Sequence, residues 1–500
     1  MTAWEAVIGL EVHAQLATRT KLFSPCPVVA SDGAPGSNTA PNTAIDGLVL
    51  GLPGTLPVPN AEAIRLAIRL GLALGSEIDV ASRFARKHYF YPDLPKGYQI
   101  SQYEHPICRG GTVPADVHGT PRTFRLTRIH LEEDAGKTSH DPRRAQSLVD
   151  YNRAGTPLVE IVGEPDLRSA DEAVAYLKSL HQIVTWLGVS DGNMEAGNFR
   201  CDANVSVRRT GDPLGTRTEI KNVNSFRFVQ LAIDSEIARQ IDVLEHGGTI
   251  VQETRGWDET TGKTKSLRSK EDAHDYRYFP DPDLMTLRLD PALILAERAA
   301  LPELPAARKA RFQAALGLSP YDADVLTQSR ARAEYFENVC TQTQATAHPI
   351  DPPIDPKIAA NWIINDLLGA LAKSGVDLDA SPIAPDALAE LLALVQANTI
   401  SSRMAKDALQ AMLQTGVRAA AWVAQNGAQV SDADALAAIV NDVLTQHPSQ
   451  LAEYLAGKTK VLGFLTGAAM KASRGKADPK QLGAIMKTTL DRLAADKGSA

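Results

Sequence analysis

The run Arg128-Ile-His-Leu-Glu-Glu-Asp-Ala-Gly-Lys137 puts three consecutive carboxylates, a histidine and two flanking cations within ten residues. Ile129 and Leu131 alternate with Arg128, His130 and Glu132, the period-two signature of a half-buried strand. Successive side chains on a strand point to opposite faces, so Arg128, His130, Glu132 and Asp134 share one face. Glu133 points the other way unless the strand bulges or ends there, and Gly136 allows either. Packing carboxylates together is costly unless a cation is expected. A lone charged motif of this length is usually a solvated strand end; the residues that accompany it shift the balance.

Ile8-Gly-Leu-Glu-Val-His-Ala-Gln-Leu16 alternates without a break, with Glu11 and His13 neighbours on its polar face, a spacing that suits two ligands of one ion. Asn198 to Val207 alternates again, with Asp202, Asn204 and Ser206 on one side, and Glu219 and Lys221 share a face in Thr218 to Ser225. Glu160 interrupts the apolar run Leu158-Val-Glu-Ile-Val162; a buried carboxylate needs a partner, for which Arg153 is the candidate. Phe84 to Tyr103 holds six Phe or Tyr in twenty residues, with Lys87, His88 and Lys96 among them. Cations interleaved with aromatic planes suit phosphate and base contacts as well as a small aromatic core. Four strands that each present a polar, acid-bearing face are difficult to explain as four solvated edges.

The elements that must position these groups are legible from their punctuation. Asn60 caps a helix ending near Gly75, Ser169-Ala-Asp-Glu172 is a capping box for a helix closed by Gly188, and Ser225 caps one ending at Gly247. Residues 23–59, rich in Pro, Gly, Ser and Asn, read as a long loop. Gly256-Trp-Asp-Glu-Thr-Thr-Gly-Lys-Thr264 has five residues between its glycines, one too many for a P-loop, and reads as a turn followed by a basic strand. From about Pro291 strand-like alternation gives way to alanine- and leucine-rich helices, with a soft boundary near Ser401.

Five hundred residues suggest about three domains, and 44% hydrophobic content is ample for cores. The net charge of −7 selects no partner, but residues 457–497 carry nine Lys or Arg against three Asp, a local +6. Four cysteines without CxxC spacing indicate neither a disulfide framework nor a zinc site. The start of the chain lacks the basic region of a signal peptide, and no apolar run approaches a membrane span. A soluble, cytoplasmic protein without membrane or DNA partners is expected.

The sequence resembles the B subunits of the tRNA-dependent amidotransferases that convert Glu-tRNA(Gln) to Gln-tRNA(Gln) or Asp-tRNA(Asn) to Asn-tRNA(Asn). The resemblance is carried by residues 9–16, 89–102, the acidic strand, 200–206, 218–222 and 273–280, and runs from about residue 4 to the end. It implies an α+β fold: a mixed-sheet cradle with flanking helices (1–290), a helical domain (291–400) and a small helical tail that touches tRNA (401–500). It also implies a heterotrimer in which the partners are an amidase, the A subunit, and a small protein, the C subunit. Some relatives bind zinc through a CxC and a CxxC; here those positions are Ser24, Cys26, Asp46 and Val49, so no zinc is expected.

The implied chemistry is transfer of the γ-phosphoryl group of ATP to the side-chain carboxylate, followed by amidation of the acyl phosphate. Catalysis of that transfer is mostly positioning and charge neutralisation. Glu11, His13, Glu132 and Glu133 are the expected magnesium set. Histidine is unusual for magnesium, leaving manganese or contact through water open. Asp202 and Glu219 join these as catalytic acids, and Lys87, Lys96, Arg153 and Lys221 are the expected ATP-binding cations. No nucleophile setting for releasing ammonia from glutamine is present, so the ammonia must come from a partner. The competing classes are a two-metal nuclease and a non-catalytic tRNA-binding scaffold.

Overall fold

The computed structural model describes residues 3–29, 39–141, 144–269, 275–341, 353–430, 432–473 and 475–498. It divides into two compact units, Met1–Pro305 and Ala306–Ala500. The strands of the first unit are β1 (Trp4–Gln15), β2 (Glu77–Ile78), β3 (Ala81–Ser82), β4 (Ala85–His88), β5 (Tyr98–Ser101), β6 (Cys108–Arg109), β7 (Thr112–Val117), β8 (Thr120–Glu133) and β9 (Lys137–Asp141). They continue as β10 (Gln146–Asp150), β11 (Pro157–Gly163), β12 (Phe199–Arg209), β13 (Thr218–Val223), β14 (Glu253–Asp258), β15 (Lys263–Ser269), β16 (Phe279–Pro280) and β17 (Leu287–Arg288). The helices are α1 (Ala61–Ala73), α2 (Ala170–Trp186), α3 (Phe226–Glu245) and α4 (Pro291–Ala299).

Among the described residues thirteen strands form one mixed sheet, with the path β15-β14-β13-β12-β1-β11-β8-β5-β4-β16. Its pairs are antiparallel except β13 with β14. The fold is α+β, as the alternation and the resemblance imply. Alternation decides the layering: Leu10, Val12, Ile129, Leu131, Val159, Ile161, Cys201 and Ala203 are buried on one face of the central strands. The same core takes Ala173, Leu177, Leu180 and Val184 of α2, and α2 packs on β7 and α3. Fully burying an aliphatic side chain of this kind contributes about 1.5–3 kcal/mol, so the apolar face holds the polar one in register.

The helix ends follow the capping chemistry. Asn60 Oδ1 accepts from Glu62 N and Ala63 N at 2.9 and 3.3 Å, and Ser225 Oγ accepts from Phe228 N at 3.2 Å. Ser169 Oγ accepts from Glu172 N at 3.1 Å, while the Glu172 carboxylate takes Arg168 N at 2.7 Å rather than closing the box on Ser169. Gly75, Gly188 and Gly247 stop these helices with φ of 69°, 65° and 75°. The Gly256–Thr264 segment is a hairpin: β14 and β15 pair with each other, and Gly262 turns between them at φ 63°.

Helix α3 is tied to the sheet through a buried carboxylate. Glu236, fully shielded from solvent, accepts from Thr218 Oγ1 (2.6 Å), Gln240 Nε2 (2.8 Å), Thr264 Oγ1 (2.9 Å) and both Nη2 and Nε of Arg239 (2.6 and 3.0 Å). Burial alone would raise its pKa; these donors hold it below the usual carboxylate value. Helix α4 also belongs to this unit, because Arg65 and Arg69 of α1 both hold Glu297, each at 2.8 Å.

The second unit is helical. Ser401 caps Ser402–Thr415, which stops at Gly416 with φ 70°. Ala433–Gln446, Val461–Ala472 and Pro479–Gly498 share a core of Leu436, Val440, Leu465, Met486 and Leu490. Of the basic run, Lys458, Lys460, Lys471, Lys480, Lys487 and Arg492 are exposed, while Arg474 lies outside the described residues. Ala273 and His274 of the 273–280 motif also lie outside them. No described helix is long and apolar enough to cross a membrane.

Candidate active site

Strand register builds the site. His13 on β1 stands opposite Glu160 on β11 and Arg200 on β12, and Glu160 stands opposite His130 on β8. Four adjacent strands thus present the row Arg200, His13, Glu160, His130 on one face. Asp202 and Glu11 form the next row on one side. Gln15, Leu158 and Glu132 form the next on the other, with Ser101 of β5 opposite Glu132.

Two carboxylates and two imidazoles meet at the centre. His13 Nε2 lies 3.5 Å from Glu132 and 3.4 Å from Glu160, and His130 Nε2 lies 3.5 and 3.2 Å from the same pair. Ser101 Oγ donates to Glu132 at 3.2 Å. Burial disfavours charge on every one of these groups, yet each histidine sees two carboxylates, which raise His13 and carry His130 up to about 9. Arg128 Nε, 3.3 Å from His130 Nδ1, opposes protonation there; the two carboxylates on Nε2 outweigh it. Burial would raise Glu160 as well, but the two imidazoles hold it well below the ordinary value.

One ligand atom each from His13, Glu132 and Glu160 lies within 4.8 Å of the others, a spacing that fits a single cation. Glu160 joins His13 and Glu132 in this group, while Glu11 and Glu133, the other carboxylates expected to hold magnesium, are placed apart from it. Glu11 lies one row away, where Asn204 Nδ2 donates to it at 3.0 Å. Burial, with Glu160, Asp202 and Glu219 nearby, raises its pKa. Glu133 obeys strand parity: it is buried, paired with Lys96, and accepts from Ile100 N at 3.1 Å. The expected pairing of Glu160 with Arg153 is not made. Arg153 sits in the turn before β11 and donates to Ala135 O and Gly136 O at 3.0 and 2.6 Å, whereas register sets Glu160 against histidines.

The cluster opens on a cavity of about 740 Å³ lined by His13, Glu132, Asp134, Asp202 and the cations Lys87, Arg153, Arg200 and Lys221. Lys87 lies 5.0 Å from the centroid of the Tyr276 ring, and among the described residues no acid pairs with it. Burial works against its charge, but Glu132 and Glu160 with Tyr276 and Tyr278 together outweigh that and raise its pKa above the ordinary lysine value. Lys221 bridges Asp202 and Glu219 at 2.7 and 3.1 Å. Asp134 is buried and receives Arg200 at 3.0 Å, Gln15 at 2.9 Å and Arg153 at 3.6 Å. Burial would raise this carboxyl; the two guanidiniums keep it low.

Sequence reasoning missed Glu160 and His130 as members of the cluster, and Arg200 altogether. The signals were present: an acid inside an apolar run, a histidine in step with Glu132, and an arginine in step with Asp202. Ser24, Cys26, Asp46 and Val49 form a hydrogen-bonded knot. Ser24 Oγ donates to Asp46 Oδ2 at 2.7 Å, Cys26 N to Ser24 Oγ at 3.0 Å, and Val49 N to Asp46 Oδ1 at 2.8 Å.

Residues 6–295, which hold the whole row and the cavity, match the family model described as GatB/GatE catalytic domain, and residues 343–490 match the GatB domain. The chain belongs to the GatB family. Similar GatB proteins are the B subunit of the aspartyl/glutamyl-tRNA(Asn/Gln) amidotransferase of Thioalkalivibrio sulfidiphilus, 50% identical over 97% of this chain and 99% of its own length, and that of Syntrophotalea carbinolica, 51% identical over 97% and 98%. The protein of the same description from Ralstonia nicotianae is 51% identical over 97% and 99%. In the GatB/GatE catalytic domain of this chain the acid-bearing faces converge on one place, as their number suggested.

Proposed function

We propose that this chain is the component of an aminoacyl-tRNA amidotransferase that activates and amidates the side-chain carboxylate of Glu-tRNA(Gln), Asp-tRNA(Asn) or both. A carboxylate oxygen attacks the γ-phosphorus of ATP, ADP leaves, and an acyl phosphate remains on the tRNA-bound residue. Ammonia then attacks the acyl carbon, inorganic phosphate leaves, and the amide forms with loss of a proton. The observation that carries this reading is the triad His13, Glu132 and Glu160, two members of which, His13 and Glu132, line one cavity with Lys87.

His13, Glu132 and Glu160 would hold the divalent cation, with Glu11 as the neighbouring carboxylate and Glu133 behind the strand as the partner that orients Lys96. Magnesium, when bound, neutralises charge on the transferring phosphoryl group. Lys87 is the principal phosphate contact; Lys96, Arg153 and Lys221, already engaged with acids or carbonyls, complete the cationic set, and Asp202 and Glu219 fix Lys221. The ammonia comes from the amidase partner, the A subunit, and the small C subunit completes the heterotrimer. Residues 1–290 act as the cradle and 291–400 as a helical domain. Residues 401–500, with their exposed lysines, serve as the tRNA-contacting tail in a cytoplasmic complex.

The test uses the reconstituted complex with the partner's amidase nucleophile removed. Given ammonium chloride, ATP, magnesium and mischarged tRNA, it is expected to form the amide, and Lys87→Ala is expected to stop that reaction. Undiminished amide formation by the Lys87→Ala complex would overturn the assignment.

A further inference from the structure

Arg200 stands in the same row as His13, and Asp202 follows it on the same face of β12. Its guanidinium reaches across β1 and β11 to Asp134, which lies just beyond the end of β8. Two features separate it from an ordinary buried ion pair. First, Asp134 is shared by Arg200 and Arg153, so neither guanidinium has that carboxylate to itself. Second, the two arginines are used differently. Arg153 donates through Nε and Nη2 to the carbonyls of Ala135 and Gly136, so its edge is taken. Arg200 has one donor on Asp134, its buried Nε has no acceptor among the described residues, and about 36% of its side chain is open. A guanidinium left with donors to spare beside a cavity is a carboxylate receptor, because its fork matches two oxygens.

We infer that Arg200, held in place by Asp134, binds the side-chain carboxylate of the aminoacyl group and distinguishes it from the amide product. The inference rests on the functional reading above and adds a residue to it. Asp134 fixes the guanidinium from behind, Arg153 fixes Asp134, and the open part of the Arg200 side chain faces the cavity. The row then has a direction: the carboxylate is held at Arg200, and the carboxylate–imidazole cluster begins at the next strand. An amide is neutral, with an NH2 group in place of one acceptor oxygen, so it loses both the charge and one hydrogen bond at this place. Product release follows from the same contact.

The test compares binding of carboxylate- and amide-bearing tRNA to the whole complex, using Glu-tRNA(Gln) against Gln-tRNA(Gln), or Asp-tRNA(Asn) against Asn-tRNA(Asn). The wild-type complex is expected to prefer the carboxylate form by roughly ten- to a hundredfold, the range for a charge-assisted hydrogen bond. Arg200→Gln is expected to bring the ratio near one and to raise KM for mischarged tRNA while leaving KM for ATP unchanged; Arg200→Lys keeps part of the preference. Arg200→Gln combined with Asp134→Asn removes both charges together, and the preference stays lost in that better-balanced variant. A preference that survives Arg200→Gln, or a rise in KM for ATP instead, overturns the inference and gives Arg200 to phosphate. A wild-type complex that forms no amide fails the functional reading itself, and is recognised before any variant is made.

Discussion

Two buried carboxylate centres in the first unit meet opposite fates. Glu236 is surrounded by donors: two hydroxyls, an amide and an arginine fork satisfy it at 2.6–3.0 Å. Glu132 and Glu160 share two imidazoles at 3.2–3.5 Å and repel each other, and Glu132 and His13 of this cluster face a cavity. Both arrangements remove charge from water, which is costly. The first recovers that cost locally and ties α3 to β13 and β15; the second leaves capacity for something that comes from outside. The degree to which buried charge is satisfied, rather than its burial, separates a fastening from a site.

The contrast can be broken by substitution. Glu236→Ala strands Arg239, Thr218 and Gln240 around a cavity, and is expected to cost about 3–5 kcal/mol, as removal of one partner from a buried charge pair does. A large fall in the midpoint of thermal unfolding checks it, and an unchanged midpoint would make Glu236 incidental. Glu160→Gln removes the carboxylate that both imidazoles stabilise but also relieves its repulsion with Glu132, so the midpoint should fall by less than in Glu236→Ala while amide formation falls by on the order of a hundredfold. If the midpoint falls as far as in Glu236→Ala, the two centres are not different in kind. The smallest effect is in acid. The pKa of Glu236 is depressed on folding, so its contribution is complete above its ordinary value of 4.5 and is lost as pH falls through the lower folded value. Glu236→Gln should therefore flatten the loss of stability below about pH 4.5, measured by unfolding across that range; an unchanged slope would assign the acid limb to other groups.

Much of this was legible from the chain alone. Alternation placed Glu11, His13, Glu132, Asp202 and Glu219 on polar strand faces, and the caps at Asn60, Ser169 and Ser225 fixed where the helices begin. Parity also said that Glu133 points away from Glu132, as it does. Register was not legible. Nothing in Leu158-Val-Glu-Ile-Val162 says that its acid will stand between His13 and His130, since strand order is settled by packing across the whole sheet. For the same reason Arg153, near Glu160 in sequence, was the natural partner on paper, although the turn before β11 carries it to Asp134. Arg200 escaped notice because its partner lies three strands along the sheet, in a different motif.

Strand β1 is bordered on one side by β11 and on the other by β12, which end at residues 163 and 209. A ribosome adding about 5–20 residues per second needs roughly ten to forty seconds to go from one end of this arrangement to the other. Until residue 163 is made both hydrogen-bonding edges of β1, with its apolar face of Ile8, Leu10, Val12 and Ala14, stay unpaired, and until residue 209 one of them does. His13 therefore waits for nearly two hundred residues of nascent chain before it meets Arg200. Pairings of such long sequence separation are intrinsically slow and leave strand edges exposed while they wait.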